Sequence, residues 1–322
     1  MLNYILRRLM LMVPTILGIL FVSFVIIQFV PGGPVERMIA QLQGHGTEAT
    51  SRFSGGGGGE LSPQATATGQ QTAYRGAQGL DPEFIKELEK MYGFDKPAPE
   101  RFANMIGNYL RFDLGTSYYR DIKVTDLILE KMPVSISLGL WSTILIYFIS
   151  IPLGIRKAVK DGQSFDIWTS AAIFVGYAIP SFLFAILLII LFAGGRYFDL
   201  FPLRGIVSDN WGDLPWWRQG IDYLWHMVLP TLALVISGFA GLTMLTKNSF
   251  LDEIGKQYVL TARAKGLPER RVLYGHIFRN AMLIVIAGFP AAFMHIFFTG
   301  SLLIEVIFSL DGLGLLGYES II

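Results

Sequence analysis

Tyr258-Val-Leu-Thr-Ala-Arg-Ala-Lys-Gly-Leu-Pro-Glu-Arg-Arg271 lies between two long apolar runs, Leu224–Thr246 and Ala281–Ile304. A hydrocarbon core ~30 Å thick takes about 20 mostly apolar residues in a helix, and both runs meet that length. The stretch between them carries Arg263, Lys265, Arg270 and Arg271 and cannot share their apolar surroundings. It predicts a segment held on one membrane face, where Ala262, Ala264 and Gly266 let another protein approach closely. Phe250, Ile254, Tyr258, Ala262 and Gly266 recur every four residues, the pattern of an amphipathic helix. Gly266 suits the end of that helix, and Pro268 prevents its continuation.

Composition extends this reading to the whole chain. Hydrophobic residues make up 52% and charged residues 16%, against ~25% charge in a soluble domain. The mean hydropathy is +0.48. Three further runs, Leu9–Val30, Pro133–Ile155 and Ile167–Ala193, complete a set of spans for an all-α polytopic membrane protein. Pro14, Pro152, Pro180, Pro230 and Pro290 lie within the spans, where they predict kinks and packing. A net charge of +1 excludes nucleic acid as a bulk electrostatic partner. With no cysteine there is no disulfide or thiolate metal site, and His45, His226, His276 and His295 are too scattered for a zinc site.

Positive charge near span ends stays in the cytoplasm. Arg7 and Arg8 place the N-terminus inside, as a retained anchor. Arg156, Lys157 and Lys160 place the turn after the second span inside, and Lys247, Lys256, Arg263, Lys265, Arg270 and Arg271 do the same for the fourth-to-fifth connection. Gly194–Tyr223 falls outside, with Trp211, Trp216, Trp217 and Tyr223 as an interfacial aromatic belt.

The chain thus divides into a transmembrane helix (1–30), an outer cap (31–132) and a core transmembrane domain (133–322). The core carries the basic connecting helix at about 250–270. Within the cap, residues 41–79 are Gly, Ser, Thr, Gln and Ala-rich and are expected to be flexible, because such a composition buries too little apolar surface. Asp81-Pro82-Glu83 predicts a helix start and Gly93 its stop, with Phe84, Leu88, Met91 and Tyr92 on one face. A second cap helix is expected from Pro99 to Phe112, with Phe102, Met105, Ile106 and Tyr109 inward.

Several motifs together resemble the inner-membrane permease subunits of ATP-binding-cassette (ABC) importers for peptides. They are Leu6-Arg-Arg-Leu9 with Pro14, Pro31-Gly-Gly-Pro34, Tyr92-Gly-Phe-Asp-Lys-Pro97, Asp113-Leu-Gly115, Ile151-Pro-Leu-Gly154, the 258–271 stretch, Arg279-Asn-Ala281 and Phe308-Ser-Leu-Asp-Gly-Leu-Gly314. The resemblance spans nearly the whole chain apart from 41–79. Within the family, the long polar insert is most like the Yej-type permeases associated with microcin C and oligopeptide uptake. Ile284 and Asp311 stand where family members commonly have Pro. The family pattern also carries one further span after Gly312–Gly317, whereas this sequence ends at Ile322.

The resemblance implies a type I importer fold with a small helical periplasmic domain in a bacterial inner membrane, and a coupling role for 258–271. Tyr258, Thr261, Ala262, Ala264, Lys265, Gly266 and Arg270 would then meet a cytoplasmic ATP-binding protein, with Ala262 and Gly266 at the family's alanine and glycine positions. A simpler account is a basic helix on anionic headgroups, worth about 1 kcal/mol per charge. That account explains the charge but not the small residues. Implied partners are a second permease subunit, ATP-binding proteins, a periplasmic peptide-binding protein, a peptide and membrane lipid. ATP and Mg would sit on the partners and no cofactor on this chain.

The sequence itself argues against catalysis by this subunit. It lacks GxxxxGK[ST], HExxH and GxSxG motifs. Gly312-Leu-Gly-Leu-Leu-Gly317 matches GxGxxG but follows an apolar span, so it is expected to be a turn and not a dinucleotide loop. His295 and Glu305 are ionisable groups in or at the end of the fifth span and are candidates for a translocation path. The plainer readings are a hydrogen-bonded histidine and a solvated end residue. A secondary transporter or channel not coupled to ATP is the rival class. It calls for charged or broken helices at the midplane.

Overall fold

The computed structural model describes residues 2–29, 95–117, 120, 122–195, 197–298 and 301–320. The insert 41–79 and the expected helix at 81–93 lie outside the described residues. The chain divides into two compact units, Met1–Leu127 and Ile128–Ile321.

In the first unit, α1 (Leu2–Phe29) is the expected N-terminal span, and the described side chains along it are exposed or half-exposed. Helix α2 (Ala98–Tyr109) follows Pro97 and has Pro99 in its first turn, where a missing N–H costs nothing. Phe102, Met105 and Ile106 are half-buried, as their spacing predicts, and Phe102 packs on Phe21 and Phe24 of α1. Tyr109, expected inward, is exposed. After α2, the Asp113 carboxylate accepts the Gly115 N–H and turns the chain, with Gly115 at φ 76°.

The second unit is a helical bundle built around one long helix. Helix α3 (Val124–Val159) has 36 residues and α6 (Trp216–Ile254) has 39, so each runs well past the apolar stretch that marks it as a span. At 1.5 Å per residue they reach about 54 and 58 Å, against a ~30 Å core. They approach closely at Gly154, where a Cβ would lie 2.7 Å from Thr246 Cβ. Nearby, Ser150 Oγ donates to the Phe239 carbonyl at 3.0 Å. With no hydrophobic force between helices in lipid, such small residues and hydroxyl bonds hold spans together.

The third expected span is not one helix. It forms α4 (Ser164–Ala178) and α5 (Ser181–Phe192), bent by 95° at Ile179-Pro180. Pro180 removes a helical donor and drives Ile179 to extended geometry (φ −84°, ψ 120°). This proline therefore breaks the helix where a kink was expected. Each half is too short to cross a bilayer alone.

The basic connection also differs from expectation. One helix through Phe250 and Gly266 is replaced by the end of α6, a break at Gly255, and α7 (Gln257–Ala264). Gly266 does end α7, at φ 78°, and Pro268 opens the single turn α8 (Glu269–Arg271). A π-helical segment, Val272–Ile277, then leads into α9 (Phe278–Phe298). The chain continues through α10 (Leu302–Ile307) and α11 (Leu313–Glu319).

Helix α6 joins two buried clusters. One contains Leu138, Ala185, Leu188, Met227, Leu229, Ala233, Ile304 and Phe308. The other contains Ile155, Ala158, Phe250, Val259, Ala262, Val272, Ile277 and Ala281.

Candidate functional site

Helix α7 has two faces with different environments. Val259 is fully buried and Ala262 is 7% exposed, both in the cluster with Phe250 of α6 and Ile155 of α3. Tyr258 is half-buried, and its hydroxyl donates to Glu253 Oε2 at 2.7 Å. Burial and that hydrogen bond raise its phenol above the ordinary value, so it stays a donor at neutral pH. Lys256 donates to the other Glu253 oxygen. On the opposite side Leu260, Thr261, Ala264, Lys265 and Gly266 are exposed.

The small-residue surface inferred from the sequence is thus split. Ala262 is spent on packing within the chain, while Ala264 and Gly266 face outward. Arg270, also exposed, lines a groove of ≈ 250 Å³ beside α7 together with Ile254, Arg263, Glu269, Leu273 and Tyr274. Arg263 Nε meets Glu269 Oε1 at 2.8 Å on that rim.

Next to this seat lies an ion cluster that sequence reasoning missed. Lys157 of α3 is fully buried, and Asp166 of α4 and Lys247 of α6 are nearly so. Lys157 Nζ donates to the Asp166 carbonyl (2.9 Å), Thr169 Oγ1 (2.9 Å) and Ser170 Oγ (2.7 Å). Its charge faces Asp166 Oδ1 at 2.9 Å, off the hydrogen-bond directions. Lys247 Nζ reaches Asp166 Oδ2 at 2.7 Å and Asp161 Oδ1 at 2.8 Å. Lys157 and Lys247, counted from sequence as loop charges, are therefore internal. Exposed Arg156 and half-buried Lys160 remain, each over the Phe165 ring. The available signal was a lone Asp166 at the edge of an apolar run, since an isolated charge there needs a partner.

Glu305 is not a solvated end residue. It is fully buried in α10 and accepts the Leu315 N–H at 2.7 Å and the Gly314 N–H at 3.3 Å. A Cβ on Gly312 would lie 2.7 Å from the Glu305 carboxyl carbon. The glycines that mimic a dinucleotide motif thus make room for an internal carboxylate. The Leu313 N–H donates to Ser135 Oγ at 2.9 Å, and Lys131 pairs with Asp311 and Glu130. His295 is exposed on α9.

The Trp-rich segment leads into α6. Trp216, Trp217 and Trp225 are exposed, and Trp211 Nε1 donates to the Gln219 carbonyl at 3.0 Å. Asp222 accepts the Ser208 N–H (2.8 Å) and hydroxyl (2.5 Å). Among the described residues no cluster of His, Cys, Asp and Glu could hold a metal ion.

Comparison with known proteins decides between the function classes. The family described as binding-protein-dependent transport system inner membrane component matches residues 150–322. The chain is 65% identical over 320 residues to the peptidoglycan transport system permease protein YejB of Agrobacterium fabrum, covering 99% of this chain and 87% of the relative. It is 59% identical to the inner membrane ABC transporter permease protein YejB of Escherichia coli O157:H7, covering 98% and 87%. It is 32% identical to the oligopeptide transport system permease protein AppB of Bacillus subtilis, covering 98% and 86%. The chain belongs to the family of binding-protein-dependent transport system inner membrane components, as a Yej-type permease subunit of an ABC importer.

Proposed function

We propose that this subunit imports peptides by alternating access, paired with a second permease subunit and driven by cytoplasmic ATP-binding proteins that push on α7. An outer binding protein delivers the substrate, and ATP and Mg act on the partners. The observation that carries the reading is the division of α7. Val259 and Ala262 anchor one face to α3 and α6, while Leu260, Thr261, Ala264 and Lys265 present the other. A helix held this way transmits a push into the bundle, and the π segment links the same seat to α9. Tyr258 and Ala262 hold the lever; Thr261, Ala264, Lys265, Gly266 and Arg270 meet the partner. The relatives' names point to oligopeptides and to peptidoglycan, and a microcin C-like substrate fits the peptide class. Exposed His295 and buried Glu305 are the candidates for the path.

Ala264→Trp tests the docking face without touching the core. Gly266 is a poorer probe, because its positive φ strains any L side chain even though a Cβ would meet nothing. Overpacking a contact costs about 1–3 kcal/mol, or roughly 5- to 150-fold in affinity. ATPase retention and ATP-driven peptide uptake in reconstituted vesicles should both fall. Full uptake with unchanged retention would remove the coupling role. If only charge reversal at Arg270 and Arg271 mattered, the basic flank would be a lipid contact.

The same reading places the N-terminus, the α3–α4 turn and α7 inside, and the Trp-rich segment outside. The chain has no native cysteine, so labelling is clean. Cysteine at Asn210 should react with an impermeant reagent from the outer side, and cysteine at Gln163 should not. The opposite pattern would reverse the topology.

A further inference from the structure

We infer that Lys247 is a positioning residue for energy coupling: with Asp166 and Asp161 it clamps α6 to the α3–α4 turn, so that the seat of α7 moves as one body. The inference rests on the coupling reading of α7 given above.

The geometry supports it from several sides. Lys247 Nζ bridges two carboxylates on the turn and on α4, at 2.8 Å and 2.7 Å. Three residues later on α6, Phe250 is fully buried in the cluster that holds Val259 and Ala262 of α7. Ile155 and Ala158, which flank Lys157 on α3, belong to that same cluster. The ion cluster and the α7 seat are therefore built from the same turns of α3 and α6. A buried ion pair adds little stability over an apolar filling of the same volume, but its fixed partners can specify one register. At Gly154, α3 and α6 already touch through backbone and threonine, which leaves sliding as the motion that Lys247 opposes.

Lys247→Met is the informative variant, because it leaves Lys157 and Asp166 as a balanced pair. In the assembled importer, reconstituted with its partners, it should keep the ATP-binding subunits and hydrolyse ATP. Peptide taken up per ATP should fall by about fivefold or more, within the usual range of coupling effects. Lys247→Arg should retain the ratio, since arginine can span both carboxylates. Cysteines at Asp161 and Lys247 should reproduce the loss, and a short bifunctional thiol reagent should restore the ratio by closing the clamp covalently.

An unchanged ratio in Lys247→Met, a complex that no longer assembles, or a bridged pair that stays uncoupled would each overturn the positioning role. If Ala264→Trp in the same complex keeps full ATPase retention and uptake, the coupling reading of α7 fails instead. The two variants thus separate the two ideas.

Discussion

Asp166 and Glu305 are both buried carboxylates near helix ends, yet one lies between two ammonium groups and the other against backbone N–H groups. At Asp166 the negative charge answers positive charges drawn from α3 and α6. At Glu305 the partners are the first N–H groups of α11, which have no intrahelical acceptor, and Gly312 gives way to admit the carboxylate. The first arrangement joins three helices and depends on charge balance. The second fastens a short terminal helix to α10 and depends on shape. The same functional group therefore fails in different ways at the two sites.

The largest expected effect follows removal of Asp166. Asp166→Ala leaves Lys157 buried with no carboxylate and Lys247 with the half-exposed Asp161 alone, at a cost of about 3–5 kcal/mol. Yield of folded protein after detergent extraction and its denaturation midpoint should both drop sharply. Adding Lys157→Met and Lys247→Met to that variant should recover most of the stability, though not the coupling. If the triple variant is as unstable as the single one, charge balance is not what the cluster provides.

Gly312→Ala comes next. Its Cβ would fall within 3 Å of three Glu305 carboxyl atoms, and the displacement should cost about 1–3 kcal/mol. The penalty should shrink in a Glu305→Ala background, because the two positions share one contact. Additive losses in a double-mutant cycle would separate Gly312 from Glu305.

Glu305→Gln should be milder. The amide keeps the size and its oxygen can accept the Leu315 N–H, but its NH2 then faces the Gly314 N–H donor, the longer of the two contacts, so the loss is about 1–2 kcal/mol. A collapse as large as that of Asp166→Ala would mean that Glu305 also depends on a charge partner. The smallest effect belongs to the exposed pair Arg263–Glu269. Arg263→Gln should change stability by no more than about 1 kcal/mol, as solvent-exposed ion pairs do. A larger shift in the denaturation midpoint would show that the groove beside α7 holds the connection together.

The sequence alone determined the membrane class, the approximate spans and the end of the connecting helix. Each is set by nearby residues: lipid solvent demands runs of apolar residues, and Gly266 with Pro268 stops a helix wherever they occur. The family motifs were legible for the same reason, being contiguous. Tertiary structure decided which charges are internal and which faces are open. Lys247 and Asp166 are 81 positions apart, and nothing in their local patterns links them. Ala262 and Ala264 are two positions apart on a single short helix, and only the placement of α3 and α6 buries one and exposes the other. Burial is a property of neighbours brought together by folding, whereas helix-forming and lipid-seeking tendencies belong to the residues themselves.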